Sequence, residues 1–225
     1  MCITPRLSFN DWTYVAYSDL CGFKKMMENR EGAYEALNCL FSSTCELLRT
    51  RLSVKGLAVS DCVIAWANDK ELLSIVDFAR ALHKKMIRKR YLMRTTIAYG
   101  QFEFQDRIKL ANLDKQMIWG GAYLAAYLGN GNAKPGSIAL LDEQNVPDAA
   151  TLPRDWRWER RTGKKGRLQE YYWAANNPGN IREIKEVQRL QKKHEQCEKL
   201  KELYSLLVSS SPDDTLNNAP AAAGR

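Results

Sequence analysis

The chain has 225 residues, 45% of them hydrophobic, and a formal net charge of +8. That composition suits one domain with a real core and short appendages, and it excludes a helical membrane protein, because no run of about 18 apolar residues occurs. The start, MCITPRLSFNDW, lacks the apolar stretch of a signal peptide, so a cytoplasmic location is expected, and six cysteines without a C-x-x-C pair, with only two histidines, indicate neither a zinc site nor a disulfide framework.

After an N-terminal segment (1–11), residues 12–18, WTYVAYS, read as a buried strand rich in β-branched and aromatic side chains. Residues 23–50 read as one long amphipathic helix, with Met26, Met27, Ala33, Leu37, Leu40, Phe41, Leu47 and Leu48 at helical spacing. LSVKGLAVSDCVIAWAND (52–69) reads as two short strands joined at Ser60-Asp61. Residues 70–90 read as a second helix. YLMRTTIAYGQFEF (91–104) reads as a strand with Gly100 as a bulge or close-approach point. WGGAYLAAYLGNGN (119–132) reads as a short helix stopped by Gly129 to Gly131. GSIALLD, WRWERR and RLQEYYWA read as late strands, the last two joined through TGKKG. A charged helix is predicted over 181–208 and a disordered tail over 209–225.

The order strand, helix, strand, strand, helix, strand predicts an α+β fold of the ferredoxin-like, split β-α-β kind over 12–175, with extra C-terminal strands and a C-terminal helix. The charge concentrates in two stretches. Residues 80–94 hold seven Lys/Arg and no acid; residues 154–167 hold seven Lys/Arg against two acids. They read either as solvated surfaces or as an attraction for polyanions, nucleic acid or nucleoside triphosphate.

Asp19 ends the first strand, and Asp61 sits at the hairpin joint 42 residues later. In a split β-α-β sheet the first strand lies beside the hairpin, so the two carboxylates meet at one edge. Two carboxylates side by side repel and raise each other's pKa, which makes them a poor structural choice without Mg²⁺ or Mn²⁺ between them. LCGFKK follows Asp19 and opens a helix, whose free amides hold phosphate oxygens. Gly22 permits close backbone approach and Phe23 anchors the turn in the core. A strand-Asp-helix junction is also an ordinary N-cap; the second aspartate is what favours the metal reading.

These stretches resemble the class III nucleotidyl cyclases. AYSDLCGFKK resembles the F-x-D-I-x-G-F-T signature, and LAVSDCVIAW the I-G-D hairpin, with Ser60 in the glycine position. RTTIAYGQF resembles the R-I-G-I-H-x-G strand, and TGKKGRLQEYYW the closing strand pair. The resemblance runs from about residue 12 to about residue 175. It implies two ions, Mn²⁺ or Mg²⁺, on Asp19 and Asp61, with the Leu20 carbonyl as an added ligand. It implies phosphate contacts from the amides of Cys21, Gly22 and Phe23 and from Lys164 or Lys165. It also implies a head-to-tail homodimer with sites at the subunit interface. The implied reaction converts a nucleoside triphosphate to its 3′,5′-cyclic monophosphate and pyrophosphate.

The base-reading positions depart from the purine-specific pattern. Leu57 stands where a polar residue is usual, and Tyr123 and Tyr127 replace the asparagine and arginine of N-x-x-x-R. This stand-alone chain is similar to the pyrimidine cyclases of bacterial Pycsar anti-phage systems, which implies a cyclic UMP or cyclic CMP product acting on a separate effector protein. UTP is the favoured substrate. Three alternatives stay open at this stage: an adenylate or guanylate cyclase with atypical base contacts, a non-catalytic nucleotide- or RNA-binding module of the same fold, and a polymerase-type palm. The chain lacks the aromatic pattern of an RNA-recognition sheet, so a nucleic-acid partner is not expected.

Overall fold

The computed structural model describes residues 11–110, 113–141, 152, 158–163, 166–171, 185, 186 and 189. Lys164, Lys165, the tail 209–225, residues 1–10 and nearly all of the 181–208 helix lie outside the described residues; positions 185, 186 and 189 of that helix are helical.

Thirteen elements are described. β1 (Trp12–Leu20), α1 (Phe23–Met26), α2 (Arg30–Thr50), β2 (Val54–Val59), β3 (Cys62–Ala67), α3 (Leu72–Arg88) and β4 (Met93–Gln101) form the first half. β5 (Glu103–Leu110), β6 (Leu113–Trp119), α4 (Gly121–Asn130), β7 (Ile138–Leu141), β8 (Trp158–Gly163) and β9 (Gly166–Tyr171) form the second. The main sheet has the order β2-β3-β1-β4-β7-β9-β8, and β5 pairs with β6 apart from it. The first four strands, in the order β2-β3-β1-β4, are the expected split β-α-β arrangement.

The alternation of side chains along β1 explains the layering. Tyr14, Ala16 and Leu20 face one way, into a core shared with Leu40 and Leu47 of α2 and Ile75, Leu82 and Met86 of α3. Val15 and Tyr17 face the other way, toward Ala122 and Ala126 of α4. Each fully buried large aliphatic contributes about 1.5–3 kcal/mol relative to an exposed one, so both faces of the central strand are held. A buried polar chain joins the layers. His83 of α3 bonds Thr95 of β4 at 2.8 Å, and Thr95 bonds Ser18 of β1 at 2.7 Å. Burial pushes the His83 pKa down to about 3, so the imidazole is neutral at physiological pH.

Two predicted elements are corrected. The helix over 23–50 is two helices, because Asn29 takes an extended conformation (φ −112°, ψ 101°) and its side chain accepts from the Gly32 amide at 3.4 Å. Asparagine favours such a cap over a helix interior because its side chain competes for backbone hydrogen bonds. The strand over 91–104 ends at Gln101; Phe102 turns the chain into the β5–β6 hairpin, which the apolar pattern did not reveal. Gly100 forms no bulge: it stands opposite Thr13 in an unbroken β1–β4 register. Among the described residues no helix is long and apolar enough to cross a membrane.

Candidate active site

The register of three strands builds the site. Asp19 on β1 lies opposite Cys62 on β3 and opposite Arg94 on β4. The Leu20 amide donates to the Asp61 carbonyl at 3.1 Å, which ties the end of β1 to the β2–β3 turn. The two aspartates, distant in sequence, therefore share one edge of the sheet. Ser60 reaches this turn with φ 51°, in the left-handed region that glycine occupies most easily.

Asp19 does not cap a helix. The N-cap of α1 is Gly22, at φ 82° and ψ 15°. The Asp19 carboxylate faces Arg94 instead, whose Nε and Nη2 both donate to Oδ2 at 3.1 and 3.0 Å. Even so, the Asp19 pKa is raised. Burial is the main cause, Arg94 opposes it, and the Asp61 charge adds to it. One guanidinium thus leaves the carboxylate undercompensated, and a further cation at this edge would relieve the deficit. Among the described residues no group of three or more His, Cys, Asp or Glu side chains gathers. A donor set of two carboxylates fits Mg²⁺ or Mn²⁺, which take one or two carboxylates and complete their shells with water and substrate phosphates.

The turn after Asp19 is tighter than a helix opening. The Cys21 amide is already bonded to the Leu92 carbonyl at 2.8 Å, so it is committed to the fold, unlike the role expected of it. Burial pushes the Cys21 thiol up to about 12. Phe23 is buried in the main core, as anticipated. α1 is a single turn of four residues, so its dipole is small.

A cleft of about 310 Å³ opens beside Asp19, lined by Tyr17, Arg94, Tyr127, Leu128 and Asn130. The Tyr17 ring meets Tyr127 edge-on at 5.3 Å, and Tyr127 stacks on Tyr123 at 6.3 Å. Burial, then the hydrogen bond to Cys62, then the two aspartates hold the Tyr17 hydroxyl firmly protonated. Leu57 and Tyr123 both pack against the apolar cluster of Val15, Ile64 and Trp66. The structure therefore brings Asp19, Asp61, Tyr17 and Tyr127 to one region, with Leu57 and Tyr123 on the adjoining surface. Arg94, Tyr17 and Asn130 were not singled out from the sequence. The signal for Arg94 was its place at the start of the strand that neighbours β1. A second cleft, of about 230 Å³, lies at the opposite end of the sheet around Trp66, Phe102 and Phe104; its Lys70 is paired with Asp11 at 3.3 Å.

The basic stretch over 80–94 is partly absorbed into the fold. Leu82, His83, Met86 and Ile87 are buried, Lys85 pairs with Glu46 at 2.6 Å, Arg80 pairs with Asp77 at 3.7 Å, and Arg94 pairs with Asp19. This pattern favours a packed helix over a continuous polyanion track.

No protein-family model matches the chain, and no curated protein does. Solved structures do. The guanylate cyclase domain of RhGC from Catenaria anguillulae, in complex with GTP, is 16% identical, with a TM-score of 0.56 over 72% of this chain and 94% of that one. The adenylyl cyclase CyaB from P. aeruginosa is 16% identical, with a TM-score of 0.56 over 71% of this chain and 92% of that one. The guanylyl cyclase Cya2 is 15% identical, with a TM-score of 0.55 over 72% and 90%. The chain has the fold of the class III nucleotidyl cyclase catalytic domains.

Proposed function

We propose that this protein is a metal-dependent nucleotidyl cyclase that converts a pyrimidine nucleoside triphosphate, UTP before CTP, to its 3′,5′-cyclic monophosphate. The observation that carries the reading is the meeting of Asp19 and Asp61 at one sheet edge, in a fold shared with solved cyclases. Asp19 and Asp61, with the Leu20 carbonyl, would hold two Mn²⁺ or Mg²⁺ ions, which supply activation of the 3′-hydroxyl and charge neutralisation at the phosphates. The 3′-oxygen bonds to the α-phosphorus, the bond from that phosphorus to the β-phosphate oxygen breaks, pyrophosphate leaves, and the hydroxyl proton passes to solvent. The chain's own part is positioning. The amides of Gly22 and Phe23 orient phosphate oxygens, Arg94 adds positive charge beside them, and Lys164 or Lys165 counters the triphosphate. Leu57, Tyr123 and Tyr127 enclose the base and ribose.

The setting that goes with this reading is cytoplasmic second-messenger synthesis in anti-phage defence, with the cyclic nucleotide acting on a separate effector protein. Incubation with Mn²⁺ and each of the four nucleoside triphosphates, followed by mass spectrometry, is the direct test. A cyclic monophosphate with pyrophosphate in equal amount is expected; hydrolysis products alone, or no product, refute the cyclase reading.

A homodimer belongs to the same proposal. α4 carries no charged residue, and its Leu124, Tyr127 and Leu128 are 54%, 50% and 46% exposed. An apolar helix face of this kind is normally covered by a protein partner, and a symmetric pair is the commonest solution. Light scattering at micromolar concentration is expected to give the dimer mass, and Leu124→Glu to shift it to monomer with loss of turnover. A wild-type monomer whose specific activity does not depend on concentration contradicts the shared site.

A further inference from the structure

We propose that Asn130 is a substrate-contacting residue that donates hydrogen bonds to the phosphate chain. This rests on the cyclase reading of the same cleft. Asn130 is the last residue of α4 and only 3% exposed. A buried primary amide has two N–H donors and an acceptor oxygen to satisfy, and native structures rarely leave such groups idle without a reason. Here Oδ1 accepts from the Thr96 hydroxyl at 3.3 Å, the one hydrogen bond found for this side chain among the described residues; Nδ2 is not among the fully buried unpartnered atoms, so its donors are open to the cleft. The side chain lines the cleft that also holds Asp19 and Arg94.

Its placement is built in. Gly129 precedes it, and a Cβ there would come within 3.0 Å of the Leu141 side chain and 3.1 Å of Thr96 Cγ2. Glycine thus lets the end of α4 settle against β4, where Thr96 grips the amide oxygen and fixes which edge of the amide faces outward. Thr96 stands opposite Tyr17 in the β1–β4 register, and Arg94 opposite Asp19 one side-chain step further along the same face. The amide N–H donors and the Arg94 guanidinium therefore flank the carboxylate that would carry the cation.

A cleft with donors on two sides and a cation site between them suits a ligand dense in anionic oxygens. A base would instead want the flat apolar surface, which lies toward Leu57 and Tyr123. The chemical class recognised by Asn130 is thus a polyphosphate, the triphosphate of the substrate or the pyrophosphate it releases.

Isothermal titration of the full chain with inorganic tripolyphosphate in Mn²⁺ tests this without requiring turnover. Asn130→Asp keeps the shape and the acceptor for Thr96 but replaces donors with negative charge; Asn130→Leu keeps the volume and removes all polarity. Hydrogen bonds to charged groups support an expected weakening of about tenfold to a hundredfold in both variants, with the melting temperature of Asn130→Asp close to wild type. Affinity within about twofold of wild type in both variants, or no tripolyphosphate binding by the wild type, overturns the assignment. If the wild type cyclises no nucleotide but Asn130→Asp still loses tripolyphosphate, the cyclase reading fails and the phosphate site stands. If both variants bind and cyclise like wild type, the Asn130 role fails and the cyclase reading stands.

Discussion

Asp19→Ala and Asp61→Ala are each expected to abolish cyclic nucleotide formation while leaving the protein folded. Removing one element of a preorganised charge clamp costs about 3 kcal/mol, roughly a hundredfold in rate, and loss of a metal ligand costs at least that. The fold should tolerate both changes. Asp61 holds the turn through its backbone carbonyl, which accepts from the Leu20 amide and is retained by alanine. Asp19 is raised in pKa by its burial, so its charged form is not a net support of the native state. The Arg94 side chain left behind is 29% exposed and can be solvated. Circular dichroism and a thermal melt establish folding, and product quantification in Mn²⁺ measures the effect. Activity near wild type in either variant, with folding intact, removes the metal-site assignment.

Base choice is the second large effect. In a four-way competition in Mn²⁺, UTP and CTP are expected to be cyclised about a hundredfold faster than ATP and GTP. Leu57 neither donates nor accepts a hydrogen bond, so a purine edge meets no polar reader at this position of β2. Tyr123 is half-buried, and its ring stacks on Tyr127 at 6.3 Å. Two rings stand where the purine-specific pattern carries an amide and a guanidinium. Added bulk rejects a two-ring base by steric overlap, which costs more than one missing contact. Sites built around hydrogen bonds can in turn discriminate by up to about 10⁴. Tyr123→Ala should then admit purines. Faster cyclisation of ATP or GTP than of UTP and CTP would falsify the pyrimidine reading and leave an adenylate or guanylate cyclase with atypical base contacts.

Features set by local chemistry are legible in the sequence, and those set by long-range packing are not. Strands β1 and β3 are legible because apolar runs of that length bury on a sheet whatever their neighbours are, and β2 because a tight turn joins it to β3. α3 is legible because its apolar residues recur at helical spacing. The β5–β6 hairpin is not, since its two strands pair only with each other and a register shift between Asp106 and Ile108 interrupts the alternation. Nor is the break at Asn29, where one side-chain cap outweighs the helical periodicity on both sides of it.

The candidate site divides in the same way. Asp19, Asp61, Gly22 and Phe23 stand out in the sequence, because a carboxylate at a strand end and a glycine at a turn are local chemistry. The Arg94–Asp19 ion pair, the Tyr17–Tyr127 contact and the gripped amide of Asn130 do not, because each depends on the register of β1 against β4 or on where α4 crosses the sheet. Composition and periodicity determined the strands and helices of the first half apart from the cap at Asn29, and the order of those segments determined the split β-α-β sheet. Only the tertiary structure decided which side chains share a cleft, since strand register and helix docking are set by the packing of many distant residues at once.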